Sequence, residues 1–319
     1  MTHVESVVNV SDSPCPGVKL MMACKVICEE RDCVGESPVW SPAEQALYWV
    51  DIEGRKIRRC QPGAVAQSWT LPERVGCIAL SADGRVIAAM ESGIAAVTLG
   101  ESGSVQLDWL ARIDHPAANM RFNDGRCDAA GRLWVGTMVM DMSLASPQGG
   151  LYCLDERGLT GPYVSELITP NGLGFSPDHK TIYLSDSHPQ VQQIWAFDFD
   201  LETGTLSNRR LFADITALPG RPDGAAVDAA GNYWICGNDA GQVHCFSPEG
   251  KLQRSLAVPF PKPSMCAFGG ARLDRLFVTS IPPADPVQDP SQLSGRLSAL
   301  DPEAVGLPEP LFTRFPQTA

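Results

Sequence analysis

Three scarcities narrow what this chain can be. No apolar run approaches the roughly 18 residues that a membrane-spanning helix needs. Positive charge is in short supply: 25 Lys and Arg stand against 37 Asp and Glu, a net charge of −12 at pH 7. A field of that sign repels phosphates, which argues against nucleic acid and against an anionic membrane surface as partners. Paired cysteines are missing as well. The eleven cysteines lie singly, with no CxxC pair. Cys24, Cys28 and Cys33 are loosely spaced with no His cluster beside them, so they read as unpaired thiols rather than a zinc site. Unpaired thiols fit a reducing compartment, and a cytoplasmic location is expected.

Other absences remove whole reaction classes. There is no Gly-rich phosphate loop and no GxSxG nucleophile context. Long stripes of helical period are lacking, which excludes an α/β barrel, and no GH…WD signature recurs. The opening MTHVESVVNVSDSPCPG places Glu, Asp and Pro where a secretory signal needs an apolar core. Residues 1–25 read as a polar leader, expected to be disordered, ahead of a single domain over 26–319.

What is abundant is punctuation. The chain has 29 Gly and 26 Pro, spread along all 319 residues, a composition of many turns rather than of one disordered tract. The segments between them repeat. ESPVWSPAEQALYWVD (36–51), GCIALSADGRVIAAM (76–90), NDGRCDAAGRLWVGT (123–137), NGLGFSPDHKTIYLSD (171–186), DGAAVDAAGNYWICG (223–237) and SMCAFGGARLDRLFVTS (264–280) share one plan. Each has an apolar run, a small polar turn and a second run rich in β-branched and aromatic residues, the mark of a hairpin.

The first turn residues are Ser41, Ser81, Asp128, Ser176, Asp228 and Gly269, at intervals of 40, 47, 48, 52 and 41. Hairpins at that period predict an all-β fold, a six-bladed β-propeller. Third strands follow at 56–61, 93–99, 149–155, 193–200, 241–247 and 295–301. Segment 22–34 is left over before the first unit. It is expected to add an outer strand to the last blade and so close the ring, which removes exposed edges.

Five residues before each turn stand Glu36, Gly76, Asn123, Asn171, Asp223 and Ser264. In a propeller the first strand of each blade lines the central channel, so equivalent positions face one axis at one level. The period therefore gathers a Glu, two Asn, an Asp and a Ser at the channel mouth. Two carboxylates aimed at each other repel, and a bound cation relieves that repulsion. The donors are all oxygen, which suits Ca²⁺, Mg²⁺ or Mn²⁺, with Zn²⁺ tolerated. A wet channel whose polar lining binds only water is the competing reading. Arg121 lies two residues before Asn123, on the same strand face, with a fork of donors for substrate oxygens. Asp51 and Asp186, which follow the second runs, read as acceptors for backbone N–H groups. His188 is a candidate for the rim, whereas His115, His179 and His244 share no register and read as structural or exposed.

At these residues the chain resembles the SMP-30/gluconolactonase/regucalcin-like lactonases. The matching words are GESPVW (35–40), RFNDGRCDAAGRLWVGTM (121–138), GLYCLD (150–155), PNGLGFSPDHKTIYLSDS (170–187), SNRRLFADI (207–215), RPDGAAVDAAGNYW (221–234) and MCAFGG (265–270). The resemblance implies one divalent metal ion held by Glu36, Asn171 and Asp223, with Arg121 and Asn123 contacting substrate. A further acidic contact falls on Asp141, where better-known animal members carry Glu. The implied activity is metal-dependent hydrolysis of a sugar lactone to the aldonic acid, with the metal polarising the carbonyl and Asp223 as catalytic general base. Two alternatives stay open: hydrolysis of another ester or an organophosphate, and a non-catalytic ion-binding or interaction propeller. A monomer acting on a small-molecule sugar lactone is expected.

Overall fold

The structure, a computed structural model, describes residues 24–317. The polar leader expected over 1–25 lies outside the described residues except for its last two positions.

Alternating Gly/Pro turns and short apolar runs fold into six four-stranded antiparallel sheets. Blade 1 is built from Gly35–Ser41, Ala46–Asp51, Lys56–Cys60 and Gln67–Thr70. Blade 2 follows with Val75–Leu80, Val86–Met90, Gly93–Leu99 and Val105–Arg112. Blade 3 comprises Met120–Cys127, Leu133–Val139, Gly149–Asp155 and Gly158–Leu167. Blade 4 has Pro170–Phe175, Thr181–Asp186, Gln193–Asp200 and Thr205–Asp214. Blade 5 has Arg221–Val227, Tyr233–Asn238, Gln242–Phe246 and Leu252–Ala257. Blade 6 takes Pro263–Gly269, Arg275–Ser280 and Ser298–Leu300, and its outer strand is Lys25–Val26 from the beginning of the described chain.

The first strands of successive blades touch around a circle, and that of blade 6 touches that of blade 1. The protein is therefore a six-bladed β-propeller, as the period predicts, and all six expected hairpins and third strands are present. Closure also takes the expected form: Lys25 pairs with Ala299 and Val26 with Ser298. The segment that follows is pinned to blade 1. Asp32, buried, accepts the Trp49 indole N–H at 2.7 Å and the Arg58 Nε–H at 2.5 Å. Asp51 accepts the backbone N–H groups of Cys33, Val34 and Gly54.

The core is divided among the six interfaces between neighbouring blades. One apolar cluster fills each interface; that between blades 6 and 1 includes Trp40 stacked on Phe277 at 5.6 Å. At about 25 cal/mol per Å² of apolar surface removed from water, these clusters are the main cohesive force of the ring. Beyond the sixth blade the chain crosses the end of the channel formed by the hairpin turns. Gly306 bridges Asp228, Glu309 pairs with Arg126 at 3.3 Å, and Phe312, fully buried, bridges Ser81.

The turn residues that mark the period are structural. Asp128 accepts the Trp134 indole N–H at 2.8 Å, Arg132 Nε–H at 2.6 Å and the backbone N–H groups of Ala130 and Arg132. Asp228 repeats the arrangement with Trp234, Asn232 and the backbone of Ala230. A carboxylate with every lone pair engaged can sit buried, and removing it strands all of its donors. Asp128→Ala is expected to cost about 3–4 kcal/mol, measured as a shift in the urea unfolding midpoint; an unchanged midpoint would show that the turn carries no such load.

Candidate functional site

The inner strands do not pair evenly. Each breaks register with its neighbour at the same place: between Glu36 and Val39, Val75 and Cys77, Phe122 and Gly125, Asn171 and Gly174, Pro222 and Ala225, and Pro263 and Cys266. A bulge turns backbone out of the ladder and re-aims the side chains around it. Each break lies at the position five residues before the hairpin turn, so the predicted ring coincides with a ring of bulges.

Blade 2 contributes no side chain to the ring, because a Cβ on Gly76 would come within 2.2 Å of Phe122 O and 2.8 Å of Asn123 O. The bulge of blade 3 presses into that space. Asn123 then reaches blade 4, where its amide N–H groups meet Pro170 O at 2.9 Å and Asn171 Oδ1 at 3.0 Å. Arg121 donates Nη1–H to Asn123 Oδ1 at 2.6 Å and to Phe122 O at 2.9 Å. Its other guanidinium N–H groups make no hydrogen bond among the described residues. Asn171 donates to Ser187 Oγ at 2.7 Å, and Ser187 in turn donates to Pro222 O beside Asp223. Asp223 Oδ2 accepts the Asn238 amide at 2.5 Å. Ser264 is fully buried and donates to Gly35 O at 2.5 Å, linking blade 6 to the residue before Glu36.

Arg121, Asn123 and Asn171 thus share one hydrogen-bonded network that runs through Ser187 to the carbonyl oxygen of Pro222, the residue before Asp223. Glu36 closes it electrostatically. Burial pushes its carboxyl well above the usual carboxylate range, and the charges of Asp223 and Asp124 push the same way. Asp223 is pushed up to about 7, mainly by burial, against the pull of Arg221 and the Asn238 amide. Asp141 is exposed in the loop after the second strand of blade 3. Its Oδ1 caps the short 3-10 turn Met142–Leu144 by accepting from Ser143 N and Oγ, and Oδ2 makes no hydrogen bond among the described residues. That loop stands at the end of blade 3 where Arg121 lies, since Met140 N–H bonds Asn119 O.

Among the described residues no group of three or more His, Cys, Asp or Glu comes together at metal-binding spacing. The ring offers two carboxylates and one amide oxygen instead. That donor set fits a hard divalent cation. So does the electrostatics, because burial raises both carboxyls and the charges of neighbouring aspartates add to it, a cost that a bound cation would offset. An oxygen of Asp124 and the amide oxygen of Asn238 are buried with no hydrogen-bond partner among the described residues.

Several residues of the network were not singled out in the sequence. Asn238 follows Asp223 by 15 positions, Thr279 follows Ser264 by 15, and Ser187 follows Asn171 by 16. This offset of 15 or 16 is the return path of the hairpin, and searching those two positions beyond the ring would have found all three. Asp186 accepts the backbone N–H groups of Ile168, Thr169 and His188, as expected of a structural aspartate. His188 is buried, with Nε2 3.2 Å from Met142 O, so it braces the Asp141 loop. His244 is buried between Ser255 and Pro219 O.

The model of the SMP-30/gluconolactonase/LRE-like region matches residues 34–282. The chain belongs to that family. Within the family it is similar to the 6-deoxy-6-sulfogluconolactonase of Pseudomonas putida, 36% identical over 292 residues, covering 90% of this chain and 98% of that protein. It is also similar to the regucalcin of Oryctolagus cuniculus, 35% identical over 295 residues, covering 90% of this chain and 94% of the relative. In three dimensions it resembles a calcium-binding protein, regucalcin, from Agrobacterium tumefaciens. The TM-score is 0.84 at 27% identity, over 92% of this chain and 98% of that one.

The raised Asp223 pKa has a consequence for this family member when no cation is bound. The folded-state value of about 7 exceeds the ordinary 3.8, so the native state binds more protons than the unfolded chain between those values. Asp223 therefore costs nothing at low pH, and its ionisation erodes stability as pH rises from about 4 to about 7. In chelator at pH 8, Asp223→Asn is expected to melt roughly 2–6 °C above the parent protein, an advantage that shrinks towards pH 4. Equal melting temperatures at pH 8 would show that Asp223 carries no such penalty.

Proposed function

We propose that this protein hydrolyses a sugar lactone to the aldonic acid at the channel ring, with one divalent cation held by Glu36, Asn171 and Asp223. That it is a lactone-hydrolysing enzyme follows from its family. The finer reading rests on one observation: Arg121, Asn123 and Asn171 are joined directly, next to Asp223 and facing Glu36. A pure ion store has no use for a guanidinium fork beside its ligands. The oxygen donors suit Ca²⁺, Mn²⁺ or Mg²⁺, and they tolerate Zn²⁺. When bound, such an ion supplies Lewis-acid polarisation of the lactone carbonyl and offsets the charge that develops on its oxygen.

The chain's own groups divide the remaining work. The unengaged N–H groups of Arg121 hold substrate oxygens, and Asn123 Oδ1 keeps a lone pair for a sugar hydroxyl. Asp141 offers its Oδ2 from the rim. Asp223 Oδ2 is fixed by Asn238, which leaves Oδ1 to take a proton from the attacking water. The water oxygen bonds to the carbonyl carbon, and the ring C–O bond breaks. The departing oxygen takes back the proton, so lactone and water become one hydroxy acid. A small neutral substrate and a cytoplasmic monomer complete the reading, supported by the net charge of −12 and by the free state of the described cysteines.

The test is acid release from glucono-, galactono-, xylono- and arabinonolactone and from 6-deoxy-6-sulfogluconolactone, corrected for spontaneous opening. Turnover of one of these is expected to be abolished by chelator and restored by a divalent ion. Asp223→Ala should lower kcat about 10²–10⁴-fold. Arg121→Ala should raise KM about 10-fold with a smaller change in kcat, as for lost substrate binding. Hydrolysis that ignores chelator would remove the metal from the reading. Ion binding without turnover of any lactone would favour a non-catalytic propeller, and turnover of a phosphotriester alone would favour the organophosphate alternative.

A further inference from the structure

The bulge that carries Asn171 is held differently from the strand around it. Register with the second strand of blade 4 is lost between Asn171 and Gly174, so Gly172 and Leu173 leave the ladder. Their freed groups are met from two other blades. Leu173 donates its backbone N–H to Asp124 Oδ2 of blade 3 at 2.8 Å. Gly172 accepts the Tyr233 hydroxyl of blade 5 on its carbonyl at 2.6 Å. Gly172 has φ +63°, and a Cβ there would lie 2.4 Å from Tyr233 Oη and 2.8 Å from Ser185 Oγ. Only glycine fits between these clamps.

Tyr233 is fully buried and Asp124 nearly so, at 7% exposure. Asp124 is also an expensive choice for a strut. Its second oxygen is buried with no hydrogen-bond partner among the described residues, and its charge adds to the repulsion on both Glu36 and Asp223. A neutral acceptor would hold Leu173 N–H without that cost. A carboxylate here gains when positive charge enters the ring and when the stronger acceptor fixes the bulge more tightly.

We propose that Asp124 and Tyr233 are positioning residues: gripping the Asn171 bulge from the two flanking blades, they aim Asn171 Oδ1 and so set the affinity of the ring for a divalent cation. The inference rests on the ring being a cation site, as argued above, and adds residues that touch neither ion nor substrate. Partners that orient ligands typically change metal affinity 10–100-fold when removed.

The test is titration of the purified full chain with Mn²⁺, with free ion read by electron paramagnetic resonance and melting temperature recorded in parallel. Asp124→Ala and Tyr233→Phe are each expected to weaken Mn²⁺ binding about 10-fold or more. Asp124→Asn, which keeps an acceptor for Leu173 N–H, should recover most of the affinity lost in Asp124→Ala. Asp128→Asn, altered at a hairpin turn away from the ring, should lower the melting temperature and leave affinity unchanged. Should Asp124→Ala prove unable to fold, Tyr233→Phe, which loses one oxygen, decides the question. Lower melting temperatures with parental Mn²⁺ affinity in both Tyr233→Phe and Asp124→Ala would overturn the inference while leaving the cation site standing. Failure of the parent protein to bind Mn²⁺, Ca²⁺, Mg²⁺ or Zn²⁺ would overturn both.

Discussion

Everything at the centre of this propeller depends on how bulged backbone finds hydrogen-bond partners. The bulges in the inner strands, all but that of blade 2, turn a side chain towards the axis, and they leave backbone groups without a partner in their own sheet. A buried amide left unpaired costs on the order of 1–3 kcal/mol, so a ring of bulges is stable only if neighbouring blades supply the missing partners. They do so repeatedly. Ser264 meets Gly35 O, Asn123 meets Pro170 O, Ser187 meets Pro222 O, and the Ser37 hydroxyl accepts Ile78 N–H, while Arg126 reaches past blade 4 to Ala225 O of blade 5. The polar groups that form the site are therefore also the bonds that fasten blade to blade.

This double use explains why the site is rigid and why it is electrostatically costly. Asn171 cannot swing, because its amide is bonded on both sides and its backbone is clamped at Gly172 and Leu173. Buried carboxyls are costly there: burial is the main cause of the raised pKa values of Glu36 and Asp223, and the charge of Asp124 adds to both. Stability is supplied elsewhere, by the six apolar clusters between blades, by the outer strand Lys25–Val26 that closes the circle, and by the carboxylate-locked turns at Asp128 and Asp228. A stable periphery can carry a strained centre, and the separation of the two along each strand is what a propeller provides.

The hairpin period led to Glu36, Asn123, Asn171 and Asp223 at the bulged positions of four inner strands; the structure bonds Asn123 to Asn171 and links Asn171 through Ser187 to Pro222 O, while the charge of Asp223 acts on Glu36. It was also enough to identify Asp51 and Asp186 as holders of backbone N–H groups. Asp124 could not be read in this way. On an even strand it would point away from the face that carries Asn123. Only the bulge between Phe122 and Gly125 frees it to reach Leu173 in the next blade. His188 could be read as a candidate for the rim, but its partner could not, because Met142 O lies 46 positions away on another blade's loop.

By itself the sequence determined the blade count, the position of each inner strand and the chemistry of the ring, because a repeat of hairpins converts spacing along the chain into level along an axis. Which groups would bond across blades was decided by the tertiary structure alone. Those contacts depend on bulge geometry and on the approach of strands some 50 residues apart, as Asn123 and Asn171 are, 48 positions from one another. No local preference of the chain encodes that distance; it exists only once the circle has closed.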